Sequence, residues 1–157
     1  LMRCVAYVDG SFSSFDWRGG KVGIYGYGAY LLLENVDEPV SYSGGSANPE
    51  FVSMRNVAGE LAGVMQVVTA LRAELPQYDV LELFYDYEGI EKWVTGEWRA
   101  KNPLTQTYRD FMREQQKEMQ ILFNKVDAHT GVIYNERADK LAKKGVLDAA
   151  KKLGIVV

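Results

Sequence analysis

Four acids in this chain occupy places where an acid is out of character. Asp9 closes the run Cys-Val-Ala-Tyr-Val at 4–8, whose apolar and β-favouring side chains predict a buried strand, and Gly10 and Ser11 follow it at once. Asp86 closes a second such run at 80–85. Glu60 falls on the edge of the apolar stripe of a helical segment, and Asp139 lies beside the small-residue face of another. A carboxylate so placed is costly unless a cation or a firm hydrogen-bond donor faces it. Cys4 is the only cysteine and His129 the only histidine, so the chain lacks the ligands of a structural zinc site, and any metal here is a hard one held by oxygen. Blander readings stand beside these. Asp-Gly is a common turn pair, so Asp9 could cap a turn, and Glu60 could snorkel or pair with an arginine such as Arg55.

The elements that must position these acids follow from pattern. After the first strand, residues 13–21 are polar with Gly19-Gly20 and read as a loop; 23–33 and 40–43 read as two more strands, and the close spacing suggests an antiparallel meander. From 56 to 75 the period changes, with Val57, Leu61, Val64, Val68, Leu71 and Leu75 on one stripe ended by Pro76. The strand at 80–85 follows that helix and is expected to run parallel to the first, which puts Asp9 and Asp86 at the same end of the sheet, where α/β folds place function. A short helix at 88–95 comes next, then a helix from Leu104 to about residue 119, a fifth strand at 121–126, a loop at 127–134 holding His129, and a closing helix at 135–153. Asn135 and Asp139, four apart, share a side of that helix. One mixed five-stranded sheet with helices packed on it is the economical α/β architecture.

At 157 residues, 47% hydrophobic and 25% charged, the composition is that of one ordinary globular domain over 1–157. No apolar run is long enough for a membrane span and no charged-then-apolar leader is seen, so a cytoplasmic setting and no membrane partner are expected. Residue 1 is Leu, which suggests a tag remnant or a domain excised from a longer chain. The net charge of −3 argues at first against a polyanionic partner, yet removing four cation-neutralised acids from −3 leaves +1, so overall charge decides little.

Taken together, several fragments resemble the ribonuclease H family, type 1, over residues 7 to 145. They are Tyr-Val-Asp-Gly-Ser around Asp9, Tyr-Gly-Ala-Tyr-Leu-Leu at 27–32, Asn56 four residues before Glu60, Phe-Tyr-Asp-Tyr at 84–87, His129-x-Gly131, and Asn135-Glu-Arg-Ala-Asp139. Each alone is weak; their occurrence in order is specific. The resemblance implies a ribonuclease-H-like mixed sheet, its first three strands antiparallel and the rest parallel, with helices on both faces. It implies an endonuclease that cuts the RNA strand of an RNA–DNA hybrid, with Asp9, Glu60, Asp86 and Asp139 holding two Mg²⁺ ions and Mn²⁺ as a substitute. Chemistry agrees, since two cations on the order of 4 Å apart assist phosphodiester hydrolysis and Mg²⁺ asks for oxygen ligands. His129 matches a loop histidine that assists proton transfer or product release, a role suited to a group titrating near neutrality.

Gly10, Ser11, Asn56 and Asn135 are the expected substrate-binding residues. Val57 and Ala58 depart from the polar and basic residues common at these places in the family. The 13–20 segment lacks the family's frequent Asn-Pro-Gly turn and offers Trp17, Arg18 and Lys21, which either face nucleic acid or are plain surface. The basic protrusion carried by many type 1 members is missing, because residues 96–107 are too short for an extra helix. A monomer is expected, with an N-terminal hybrid-binding domain in a longer chain as the partner that such a form would benefit from. Two competing readings remain: a ribonuclease-H-like nuclease acting on other nucleic acid, and a non-catalytic nucleic-acid-binding module. The second has no physical reason to keep four converging acids.

Overall fold

Alternation along the first strand sorts the molecule into layers. Cys4, Ala6 and Val8 are buried in the main core, while Val5, Tyr7 and Asp9 between them are half-buried on the other face. The computed structural model describes residues 1–127 and 133–157. Its elements are β1 (Met2–Trp17), β2 (Gly20–Leu33), β3 (Val40–Ser46), a 3-10 turn (Val52–Met54), α1 (Asn56–Glu74), β4 (Tyr78–Tyr85), α2 (Gly89–Thr95), α3 (Pro103–Gln115), β5 (Gln120–Lys125) and α4 (Ile133–Lys152). The five strands lie in the order β3-β2-β1-β4-β5. β1, β2 and β3 pair antiparallel, and β1–β4 and β4–β5 pair parallel, as the sequence leads one to expect.

Leu61, Val64, Val68 and Leu71 of α1 have no exposed surface and pack in one cluster with Ala6, Leu81 and Leu83 of the sheet and with Tyr108 and Met112 of α3. Neighbouring residues of β2 point into different cores: Tyr25 joins this cluster, and Ile24 joins a smaller one with Val146 and Ala150 of α4. Helices α1 to α3 therefore cover one face and α4 the other. Burying a side chain the size of these leucines is worth about 2 kcal/mol, so the α1 stripe alone outweighs any propensity cost of its two glycines, Gly59 and Gly63.

Three boundaries differ from the sequence expectation. β1 does not stop near Phe12 but runs on to Trp17, and the expected loop at 13–21 is the end of a long hairpin. Its turn is Arg18-Gly19, with φ of 48° and 77°, the left-handed pair that a two-residue hairpin requires. β3 continues through Gly44-Gly45 to Ser46, and α3 ends at Gln115, leaving Met119 buried just past the helix. Among the described residues no helix is long and apolar enough to cross a membrane.

Candidate metal centre

Asp9 is not at the end of its strand, because β1 continues past it in the hairpin with β2, where it faces Gly28. What ends beside Asp9 is the other ladder. Parallel pairing of β1 with β4 stops at Tyr7 opposite Phe84, and β4 itself stops at Tyr85. The next residue, Asp86, and Asp9 thus stand just beyond the last hydrogen bonds between the two central strands. Glu60 arrives from α1 on the opposite face. It can do so because Gly10 has no side chain: a Cβ there would run into the carbonyl of Asn56 and the amide of Glu60.

Ligand oxygens of Asp9, Glu60 and Asp86 all lie within 4.8 Å of one another. Glu60 is 2% exposed, and its Oε2 has no hydrogen-bond donor facing it. The pairing with Arg55 is not formed; that guanidinium lies 5.6 Å from the Phe12 ring. Asp9 Oδ1 accepts from the Gly10 amide at 2.9 Å. Burial pushes both carboxyls up, Glu60 well above the usual range and Asp9 to about 6. The charge of Asp86 raises both further, and Asp139 adds to the effect at Asp9. Carboxyl oxygens gathered this closely, one of them buried without a donor, are held by a proton or by a cation. Among the described residues the donor set is three carboxylates, the ligands that suit a hard divalent ion.

Asp139 stands outside this triad. Its Oδ2 pairs with Lys143 at 3.0 Å, one turn along α4, while its charge is felt at Asp9. α4 reaches the site because Ala138 and Ala142 lie directly on the backbone of Gly28, opposite Asp9. Asn135 is half-buried in the first turns of α4, Asn56 is the exposed first residue of α1, and Ser11 is half-buried on β1. His129 and Gly131 lie outside the described residues. Sequence reasoning passed over the small residues that bring the helices in: Gly59 and Gly63 on α1 and Gly28 on β2. Their spacing of four on a helix was the available signal.

A mixed sheet with carboxylates gathered where its parallel strands end defines an α/β protein with an acidic cluster that could hold a metal ion, and comparison with known proteins narrows this. The family profile described as RNase H matches residues 2–147. The ribonuclease H of Ehrlichia ruminantium (strain Gardel) is 29% identical over 158 residues, covering 94% of this chain and 97% of its own. The crystal structure of RNase H1 from Halobacterium salinarum NRC-1 is 25% identical with a TM-score of 0.69, over 94% of this chain and 99% of that one. The structure of LC11-RNase H1 in complex with RNA/DNA hybrid shares the fold at 18% identity and a TM-score of 0.66, over 93% and 98%. The chain belongs to the RNase H family of ribonucleases.

Proposed function

We propose that the chain is a divalent-cation-dependent endonuclease that hydrolyses the RNA strand of RNA–DNA hybrids. The observation that carries this is the buried, donorless Glu60 oxygen set among the oxygens of Asp9 and Asp86, a cost that a binding-only module would have no use for. The hybrid held by the LC11 enzyme, whose fold this chain shares, supports the choice of substrate.

Asp9, Glu60 and Asp86 would hold Mg²⁺, two ions in all with Asp139 completing the set, and Mn²⁺ would substitute. Bound there, the cations supply activation of water and stabilisation of the leaving oxygen. The protein's own part is to fix the donors. Gly10 lets α1 approach, its amide orients the Asp9 carboxylate, and burial keeps Glu60 from turning to solvent. Asp139 exchanges Lys143 for its role at the site, at little cost because the Lys143 end of that pair is exposed. Gly10, Ser11, Asn56 and Asn135 bind substrate, and His129 moves a proton or speeds product release. Cleavage of labelled hybrid beside double-stranded RNA and double-stranded DNA, with Mg²⁺ and with chelator, tests the proposal. Mg²⁺-dependent cutting of the hybrid's RNA strand alone is expected, and equal cutting of the other duplexes, or none of any, refutes it.

A further inference from the structure

We propose that Tyr134 is a positioning residue: it locks the first turn of α4 onto a row of aromatic rings directly behind the carboxylates, and so holds Asn135 and Asp139 at the site. This rests on the reading of Asp139 and Asn135 as parts of that site.

The row is a product of strand register. Tyr30 of β2 is paired with Tyr7 of β1, and Tyr7 with Phe84 of β4, so three adjacent strands place aromatic residues at one level. Tyr7 and Phe84 stack with centroids 4.9 Å apart and planes at 17°. Tyr134 lies across the pair formed by the two tyrosines, 5.2 Å from Tyr7 and 5.6 Å from Tyr30, the latter at 19°. From the same helical turn, Arg137 sets its guanidinium 5.5 Å from the Tyr30 ring. Residues three apart on a helix share a face, so both side chains grip the row together. Two residues beyond Tyr7 comes Asp9, about 7 Å along β1, and two beyond Phe84 comes Asp86, just past the end of β4.

Further along, α4 is fixed by the hydrogen bonds that Ser43 Oγ donates to the Leu141 carbonyl at 2.6 Å and the Trp17 indole to the Leu153 carbonyl, and by Val146 and Ala150 in the smaller core. Ala138, Ala142 and Gly145 rest on the backbones of Gly28, Gly26 and Gly44. These contacts between small residues bring the helix close, but none of them lies in the first turn, ahead of Ala138. Tyr134 is the large side chain at the end of the helix where Asp139 must be placed. Without it, the first turns of α4 are free to fray or shift while the helix stays docked further along, through Val146 and Ala150. Groups that orient a metal ligand from behind typically change metal affinity or activity by about 10- to 100-fold when removed.

The test compares Tyr134→Phe and Tyr134→Ala in the full chain by calorimetric titration with Mn²⁺ and by hydrogen exchange of the amides at 136–140. Tyr134→Phe keeps the ring and is expected to match the wild type within about twofold. Tyr134→Ala is expected to raise the Mn²⁺ concentration for half-saturation by about tenfold. It should also speed exchange at 136–140 while leaving 146–150 unchanged. If the alanine variant does not fold, Tyr134→Leu, which keeps bulk without a ring, is put to the same measurements with the same expectation. Wild-type Mn²⁺ affinity and exchange in the ring-less variant overturn the lock, and so does damage by Tyr134→Phe equal to that by Tyr134→Ala. A wild-type chain that binds Mn²⁺ and shows this local exchange but cuts no hybrid would refute the proposed function and leave the lock standing.

Discussion

A carboxyl oxygen of Asp9 and one of Glu60 lie within 4.8 Å of each other, the Glu60 side chain buried and the Asp9 side chain half-buried. Burial raises both carboxyls, Asp9 to about 6 and Glu60 well above the usual range, so that the buried acid keeps a proton beside its half-buried neighbour. A proton held there would fill the place proposed for a cation.

This pairing gives the cation-free protein an inverted pH dependence. An acid whose pKa is raised by folding holds a proton that the unfolded chain releases, so folding loses stability as pH rises from the unfolded value, about 4, through the folded one. For Asp9 that window closes at about 6, and for Glu60 it extends higher. Thermal midpoints measured in chelator should therefore fall as pH is raised through this window, and Mg²⁺ should restore them by replacing the proton. A midpoint that is level in chelator from pH 4 to pH 7 would falsify the proton held there.

Replacing Asp86 by Asn removes a charge that raises both partners of that pair. Cleavage should drop by about 10³-fold or more, because a proposed ligand of the ion is lost. The midpoint in chelator should stay level or rise, since the variant relieves repulsion without opening a cavity. Activity near that of the wild type would show that Asp86 does not hold the ion.

Gly28→Ala tests how tightly α4 must sit. An added Cβ would lie 2.5 Å from the Ala142 amide and 2.6 Å from Leu141 Cβ, and would also strike the Ala138 carbonyl. Helix backbone cannot rotate aside as a side chain can, so the substitution should cost about 3 kcal/mol, the upper end for overpacking. Because Gly28 faces Asp9 across the ladder and Ala138 precedes Asp139, metal affinity should fall as well. Denaturant midpoints and a Mn²⁺ titration read the two effects separately, and a neutral Gly28→Ala would mean that the helix has room to move.

Which features were legible in the sequence depends on what water leaves visible. The α1 stripe and the β4 run were plain because their burial is nearly complete, and Glu60 stood out as an acid among residues with no exposed surface. The far half of β1 was hidden for the opposite reason. Ser13, Ser14 and Asp16 face solvent, and only Phe15 and Trp17 touch the small core under the end of α4, where the Trp17 indole donates to the Leu153 carbonyl. A strand so thinly covered carries the composition of a loop. Its turn was hidden too, because Arg18 takes a positive φ that a sequence usually signals with Asn or Asp. Tyr7, Tyr30, Phe84 and Tyr134 read as separate hydrophobic residues, since only the strand register brings them together.

His129→Ala should slow turnover by about 10²- to 10⁴-fold without abolishing it, the usual worth of a positioned proton-transfer group. Metal affinity should not change, because the oxygens that gather at the centre come from Asp9, Glu60 and Asp86. Single-turnover rates set beside Mn²⁺ titrations separate the two. A loss as deep as that of Asp86→Asn, with weakened Mn²⁺ binding, would make His129 a ligand instead.

The grip on substrate should be weak in these 157 residues. Helix α2 ends at Gly96 with φ of 88°, Trp98 folds back to pack 5.5 Å from Trp93, and Asn102 caps α3 by accepting from the Thr105 amide. The whole connection is therefore spent on ending one helix and starting the next, with no room for a basic protrusion, and its charges are Glu97, Arg99 and Lys101 alone. Affinity for a polyanion falls with salt by a power of about 0.9 for each phosphate neutralised. Two such contacts lose about tenfold between 50 and 200 mM salt, where six to ten lose about 10³- to 10⁵-fold. The Asp86→Asn variant, which can bind without cutting, should follow the shallow line and bind hybrid poorly. A tethered hybrid-binding module would raise effective concentration without new contacts in this domain and should restore tight binding. The measurement is the Kd of Asp86→Asn for a hybrid duplex across a salt series, and nanomolar affinity with a steep slope would place the grip inside this chain, on cations other than Arg99 and Lys101.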